Sequence, residues 1–437
     1  MKMIISLIVV VLLVISGVGT FALSNEKLVS SCVGNQFDMI IIAPDIFTSS
    51  LQDLIDHKNN FGLSTDLKTV EDIYNEFEGR DNPEKIKYFI KNAIEQWNTK
   101  YVLLVGDTSL VPMRKTTGRV WISMGNTQIP TDHYYADIYD DNGSFCSWDS
   151  NDNDKFGEFR WDDIWDYNWI NQTIDHVDLY PDVSIGRLLC KNNREVSKMV
   201  DKIITYETNT YGKEWFNRLI LMGGDTSTYN GSTVYEGELV NDLVAQELED
   251  NNFNPIRLWT SLNTFKPMRI NWELTKGAGL VCYSGHGFER GIATYPPLGD
   301  ETIFYDVLHL LGVLNGDKLP IVFLDACLTA NPEYTLDLYG FQIPCFAWSL
   351  TKKSFGGAIA TIGSTREGYV FRSSGTPQAG ASVLCINFFK SYETGAYIGD
   401  IFADAQNEYL DTTGLDYYTM EEFILYGDPS LKVGGYT

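Results

Sequence analysis

A histidine and a cysteine in the second half of the chain, His286 and Cys327, have the side-chain types needed for nucleophilic attack on a carbonyl carbon. A thiol attacks well only as its thiolate, which a neighbouring imidazole stabilises as an ion pair. The glycines on either side of His286 allow a sharp backbone turn that exposes the ring. We predict that the backbone N–H groups of Gly287 and Cys327 stabilise the oxyanion that such an attack creates.

Two apolar runs of the sequence lead to these side chains. Residues 279–284 precede His286, and residues 321–325 precede Cys327. Short apolar runs bounded by glycine or polar residues are typical of strands covered on both faces, as in a parallel sheet flanked by helices. Because ligands bind at the carboxyl edge of such sheets, we expect the two side chains to meet there, although about 40 residues separate them.

Each of the two residues, taken alone, has a structural explanation. Cysteine is among the most buried residue types, and a histidine can be held in a core by hydrogen bonds. The position of both residues at the ends of successive apolar runs favours a catalytic pair instead. The chain has seven cysteines, and an odd number leaves at least one thiol outside any intramolecular disulfide, as a thiol nucleophile requires. The sequence contains neither the HExxH motif of zinc peptidases nor the GxSxG motif of serine hydrolases.

This order of motifs resembles the caspase-like cysteine peptidases, in which an apolar block with His-Gly precedes an apolar block with Ala-Cys. The caspase signature Gln-Ala-Cys-x-Gly is absent, because residues 325–329 read Asp-Ala-Cys-Leu-Thr. The closer resemblance is to the gingipain-like peptidases. Further segments that look like landmarks of that family run through nearly the whole mature chain: residues 103–107 (LLVGD), 132–135 (DHYY), 180–187 (YPDVSIGR), 344–347 (PCFA), 362–365 (IGST) and 426–431 (YGDPSL).

The resemblance implies a cysteine endopeptidase that acts on protein or peptide substrates through a thioester acyl-enzyme. It also implies an acidic partner for the histidine, usually a glutamate, and Asp225 has the matching position at the end of a predicted strand. A turn aspartate is the alternative interpretation of Asp225. The alternative for the whole chain is a catalytically inactive caspase-like surface protein that acts in adhesion or partner binding.

Acidic side chains near the predicted rim indicate a preference for basic substrate residues. A buried carboxylate would select arginine or lysine at P1, the substrate residue before the cleaved bond, by a charge-assisted contact. The resemblance implies such an acid a little downstream of Asp225, which favours Glu236, although a solvated acid explains each acidic position as well. The strand end at residues 363–365 is predicted to hold the substrate in an extended form. The predicted substrate-binding residues are Glu236, Ser364, Thr365, Glu367 and Tyr369.

An acidic segment, residues 137–166, lacks the period of either a helix or a strand and is predicted to be a loop. Within it, oxygen-bearing side chains alternate as they do at the start of an EF-hand, with a glutamate two places earlier than in a true EF-hand. We predict a structural calcium ion, with Asp154 in reserve as a ligand and an acidic solvated loop as the alternative. No organic cofactor is predicted. The predicted calcium ligands are Asp149, Asn151, Asn153 and Glu158.

The charge and the first residues of the chain bear on its location. A formal net charge of −25 disfavours binding to nucleic acid or to anionic membranes, since both require a basic face. Lys2 and the apolar run that follows it, with small residues near position 22, predict a signal peptide over residues 1–24. A secreted or cell-surface protein is therefore expected. Membrane contact is expected only if this segment is retained as an anchor.

The elements around the site alternate between strand and helix patterns along most of the chain. Such alternation predicts doubly wound parallel sheets, and we expect two side-by-side α/β/α subdomains. The first is predicted to span residues 25–210 and to include the acidic loop. The second spans residues 211–437, and the family resemblance implies that it is the caspase-haemoglobinase-like catalytic half.

Overall fold

Short runs rich in β-branched and aromatic residues form several of the strands, such as Met39–Ala43 and Ile321–Asp325. The computed structural model describes residues 36–120, 125–161, 173–227, 235–297, 299, 301–373 and 375–437. The apolar runs that precede His286 and Cys327 are strands buried along their whole length. The strands are β1 (Met39–Ala43), β2 (Thr65–Thr69), β3 (Tyr101–Val105), β4 (Arg114–Val120), β5 (Gly125–Thr131), β6 (Phe156–Trp161), β7 (Ser184–Leu188), β8 (Arg218–Gly223), β9 (Asn254–Trp259), β10 (Leu280–Ser284), β11 (His286–Phe288), β12 (Gly291–Thr294), β13 (Ile303–Asp306), β14 (Ile321–Asp325), β15 (Thr335–Leu338), β16 (Phe341–Pro344), β17 (Ala360–Ser364), β18 (Val370–Ser373), β19 (Thr376–Gly380) and β20 (Phe423–Tyr426).

Ten of these strands form one continuous sheet, in the order β2-β1-β3-β7-β20-β17-β14-β10-β8-β9. Neighbouring strands in this sheet are parallel, with the exception of β17 and β20, which run antiparallel. The sheet therefore consists of two parallel halves whose strands point in opposite directions. The half from β17 to β9 delivers His286 and Cys327 at its own carboxyl edge.

Helices connect and cover the strands, and some begin at side-chain caps that the sequence supplies. Asp81 accepts a hydrogen bond from the amide of Glu84 at 3.0 Å, and Asn192 accepts one from the amide of Glu195 at 3.1 Å. Each such cap stabilises a helix by about 1 kcal/mol. The helices are α1 (Thr48–Asn60), α2 (Val70–Glu76), α3 (Asn82–Trp97), α4 (His133–Ala136), α5 (Asn193–Asn209), α6 (Glu236–Glu247), α7 (Pro267–Thr275), α8 (Phe346–Thr351), α9 (Ala381–Lys390), α10 (Ile398–Thr413) and α11 (Tyr417–Glu422).

Short sheets and turns occupy the connections between these elements. The sheet β11-β12-β13 follows β10, and the hairpin β18-β19 follows β17, so both extend from strand ends of the second half. The strands β15 and β16 form another hairpin, and β5-β4-β6 form a three-stranded sheet in the first half. Single turns of 3₁₀ helix lie at Asp45–Phe47, Glu214–Asn217, Glu249–Asn251 and His309–Gly312.

The predicted α/β fold is confirmed, and its sheet is mixed and not wholly parallel, because β17 and β20 run antiparallel. The two predicted halves meet in one continuous sheet, because β20, close to the C-terminus, pairs with β7 of the first half as well as with β17. Residues 35–437 form one compact unit, and the predicted boundary between residues 210 and 211 stays a prediction. The predicted signal peptide, residues 1–24, lies outside the described residues. Among the helices of the described residues, none is both long and apolar enough to span a bilayer.

Candidate active site

Strand register brings His286 and Cys327 to the same edge of the sheet. The strands β10 and β14 are parallel neighbours in which Ser284 pairs with Asp325. His286 and Cys327 each follow two residues after that pair, so they leave the sheet at equivalent positions. Both residues line a cleft of about 200 Å³.

Two glycines allow the backbone to approach this closely. Gly285 has φ +157° and its N–H donates to the Asp325 carbonyl at 3.1 Å, which ties the end of β10 to the end of β14. A Cβ atom on Gly287 would lie 2.8 Å from the amide nitrogen of Cys327 and still closer to the Cys327 carbonyl oxygen. Only glycine fits there. Gly287 and Cys327, whose amides were predicted to hold an oxyanion, are thus neighbours in space, and Cys327 lines the cleft whereas Gly287 does not.

The His286 ring is held by a backbone carbonyl. Its Nε2 atom lies 2.8 Å from the carbonyl oxygen of Thr226. A carbonyl only accepts hydrogen bonds, so Nε2 carries the proton and Nδ1 of the neutral ring keeps its lone pair. The ring itself is exposed, which leaves Nδ1 available for proton transfer.

Asp225 was predicted to hold this ring, and the structure gives that place to the neighbouring carbonyl of Thr226. The Asp225 carboxylate instead accepts the amide of Ser227 at 2.8 Å and faces Glu236. Burial, followed by the hydrogen bond and charge of Glu236, raises the pKa of Asp225 above its usual value. Asp225 thus shapes the loop that presents the Thr226 carbonyl.

The Cys327 thiol is partly buried and neutral in this arrangement. It lies 3.6 Å from the carbonyl oxygen of Gly368, to which the S–H donates. Burial, and then the negative charge of Glu422, raises the pKa of Cys327 to about 11. A thiolate therefore has to form by proton transfer to a base at the site.

Of the five predicted substrate-binding residues, two lie at the cleft and three do not. Tyr369 lines the cleft, and Glu236 lies beside it, where its carboxylate accepts the amide and hydroxyl of Thr226 at 3.1 and 2.9 Å. Ser364 and Thr365 are fully buried and do not line the cleft. The Ser364 hydroxyl lies 3.1 Å from the Ala326 carbonyl, so it supports the loop that carries the cysteine. Glu367 is exposed outside the residues that line the cleft.

Two charged residues of the cleft were not singled out from the sequence. Asp325 accepts the hydroxyls of Ser284 and Ser382, each at 2.7 Å. Burial raises the pKa of Asp325 above its usual value, against these hydroxyls and the nearby charge of Arg372. The position of Asp325, two residues before Cys327, could have indicated it. Arg372 lines the cleft from β18, and no local sequence signal marks it.

The predicted calcium loop is closed by protein groups. The Asp149 carboxylate accepts Arg80 at 2.6 Å and the amides of Asn153 and Asp154 at 3.0 Å. Glu158 accepts the Asn153 side chain at 2.6 Å. Within the described ranges, no group of three or more His, Cys, Asp or Glu side chains is arranged to hold a metal ion. In this arrangement Arg80 supplies the positive charge beside Asp149, and calcium binding stays a prediction.

Six of the seven cysteines lie in the described residues, and none of those six is in a disulfide. Cys327 is the partly exposed member, and the other five are buried. The sulfurs of Cys282 and Cys385 lie 3.6 Å apart in the core. Accessibility therefore distinguishes Cys327 from the other described thiols.

Comparison with known proteins adds a family to this geometry. The model of Peptidase family C25 matches residues 33–434. Gingipain R2 of Porphyromonas gingivalis is 24% identical over 412 residues, which cover 90% of this chain and 46% of that relative. Lys-gingipain W83 of the same organism is 23% identical over 197 residues, 44% of this chain and 10% of that relative. The chain thus spans less than half the length of these relatives.

Two solved structures share the fold. The complex of Porphyromonas gingivalis RgpB pro- and mature domains superposes with a TM-score of 0.64 and 22% identity, and covers 92% of this chain and 80% of that one. The Arg specific cysteine proteinase gingipain R superposes with a TM-score of 0.63 and 22% identity, over 91% of this chain and 78% of that one. At this identity the likeness concerns the fold.

Proposed function

Because the chain belongs to peptidase family C25, we propose that it is a cysteine endopeptidase with Cys327 as its nucleophile and His286 as its proton-transfer group. The observation that carries this proposal is the pairing of β10 with β14, which delivers both side chains to one cleft. The accessibility of Cys327 among otherwise buried thiols supports the same assignment.

The contacts of His286 define its part in the reaction. Its Nε2–H is held by the Thr226 carbonyl, so Nδ1 is the atom that accepts the thiol proton. The sulfur of Cys327 then bonds to the peptide carbonyl carbon, and the amides of Gly287 and Cys327 stabilise the oxyanion. The imidazolium returns the proton to the leaving amine, and a thioester remains. Water hydrolyses the thioester, which releases the carboxylic acid and restores the thiol.

We propose a preference for arginine or lysine at P1. Two carboxylates support it: Glu236 beside the cleft and Asp325 in its lining. Buried carboxylates bind a guanidinium or ammonium group through charge-assisted hydrogen bonds that a neutral side chain cannot form. The names of the relatives, which include an Arg specific proteinase and a Lys-gingipain, agree with this preference.

We also propose that the protein is exported. The basic Lys2 followed by an apolar run over about residues 3–23 supports a signal peptide. Expression with the natural start, followed by sequencing of the mature N-terminus from the extracellular fraction, tests this. Recovery of the full chain only from the cytosol would contradict it.

Purified protein incubated with fluorogenic peptides of varied P1 residue tests the catalytic proposal. We expect cleavage that is faster after arginine and lysine than after alanine, asparagine or aspartate, and that is abolished in Cys327→Ala and by thiol alkylation. Cys146→Ala is the matched control, because this thiol is buried away from the cleft. Turnover that survives in Cys327→Ala would remove the assignment, and a folded wild type without turnover would favour a binding protein.

A further inference from the structure

An arginine of the protein lines the cleft that is proposed to bind a basic P1 side chain. Among the described residues that line the cleft, Arg372 is the only lysine or arginine. It belongs to β18, on the wall that also carries Tyr369. A pocket that selects basic side chains gains nothing from an arginine of its own, so the position of Arg372 calls for a function.

Arg372 is electrostatically close to both acids of the proposed pocket. Burial pushes the pKa of Glu236 up, but hydrogen bonds from Thr226 and the charge of Arg372 bring it below its usual value. The charge of Arg372 also acts on Asp325. Arg372 therefore counterbalances negative charge at the same place where a basic P1 side chain would do so.

One donor of the Arg372 guanidinium is nevertheless unpaired. Its Nε is buried and has no hydrogen-bond partner in the described part of the chain. Arg372 is half-buried, whereas the buried arginines Arg187 and Arg114 form short ion pairs, with Asp132 at 2.6 Å and with Asp81 at 2.7 Å. A buried N–H without a partner costs about 1–3 kcal/mol. If Arg372 moves toward solvent, its Nε–H forms a hydrogen bond with water and this cost is recovered.

We propose that Arg372 is a specificity-determining residue that fills the P1 pocket as an internal counter-ion and is replaced there by the basic side chain of the substrate. This inference rests on the proposed peptidase function. Two guanidinium groups repel each other when they share one pair of carboxylates, so Arg372 has to leave before a basic P1 residue binds. A small neutral P1 residue does not compete for the acids and leaves Arg372 in place.

The replacement Arg372→Gln removes the charge and keeps a polar side chain of similar length. We expect KM for arginine and lysine substrates to fall by about tenfold or more, with kcat within about twofold, since binding and not chemistry is affected. Substrates with alanine at P1 should be unchanged. Arg372→Lys keeps the charge and should resemble the wild type. Arg269→Gln, an exposed position on α7, is the matched control.

A binding measurement keeps the test independent of turnover. In the Cys327→Ala background, methylguanidinium should bind about tenfold more tightly to Arg372→Gln than to the parent, as measured by calorimetry or by a shift in Tm. Equal or weaker binding in a folded Arg372→Gln protein would overturn the proposal. So would a wild type that cleaves after acidic residues and loses this activity in Arg372→Gln, because Arg372 would then bind the substrate carboxylate. Absence of turnover in the folded wild type as well as in the Arg372 variants would instead count against the peptidase function.

Discussion

The replacement Gly287→Ala should lower kcat strongly in a protein that still folds. The added Cβ would lie 2.8 Å from the Cys327 amide nitrogen and closer still to the Cys327 carbonyl, whereas ordinary contacts at this kind of position begin near 3.4 Å. The two loops must therefore separate by up to about 1 Å. A displacement of that size costs about 100-fold in rate when it misaligns reacting groups, which corresponds to about 2.7 kcal/mol in the activation free energy.

The cost in stability should be of similar size, which a folded domain tolerates. Overpacking of this kind typically costs about 1–3 kcal/mol, and the loops lie at the edge of the sheet where they can move apart. Steady-state kinetics on an arginine substrate should show kcat lowered by about 100-fold, and circular dichroism should show a folded protein with a modestly lower Tm.

Gly62→Ala provides the matched control for this measurement. Gly62 has φ +85° and nothing within 4 Å of an added Cβ, so the change strains the backbone by about 1 kcal/mol without approaching the cleft. We expect its kcat to equal that of the wild type. A Gly287→Ala protein with wild-type kcat would refute the reasoning, since the close approach of the two loops would then have no catalytic consequence.

Three further predictions follow from contacts of the described residues. Asp225→Asn should keep kcat within about threefold, because the Thr226 carbonyl and not this carboxylate holds His286. A loss of about 100-fold or more in kcat would restore Asp225 as the partner of the ring. Burial raises the pKa of Glu422 well above its usual value of 4.5, so its contribution to stability is complete below pH 4.5 and is lost as the pH rises toward the folded-state pKa. Tm measured from pH 4 to 9 should thus fall less steeply in Glu422→Gln than in the wild type, and parallel curves would contradict this. Arg80→Gln should tighten calcium binding measured by calorimetry, since Asp149 loses its internal cation; absence of binding in both proteins would remove the calcium prediction.

The local properties of the sequence were sufficient to identify the strands that carry the site. The apolar runs at β10 and β14 are buried along their whole length, because transfer of apolar side chains out of water is favourable. That free-energy gain depends on the residues of the run itself. The proposed catalytic side chains, His286 and Cys327, follow those runs closely in the sequence. Their position at one edge then requires only that the two strands be parallel neighbours, as they are.

Long-range partners decided what the sequence left open. The strand β20 pairs with β17 of the second half and with β7 of the first half, which joins the two predicted halves into one sheet. In the sequence, β20 lies far downstream of β7. The ring of His286 pairs with a backbone carbonyl, which no side-chain pattern encodes. Asp149 likewise pairs with Arg80, a residue about 70 positions away, where the sequence pattern predicted an ion.

The sequence therefore identified the candidate catalytic side chains, and the tertiary structure decided their environment. Residue type and the ends of apolar runs specify a thiol and an imidazole because reactivity and burial are local properties. The charge inside the cleft depends on Glu236, Asp325 and Arg372, which come from three separate elements and act on one another through space. Electrostatic interactions vary with distance and burial, and only the folded chain sets these.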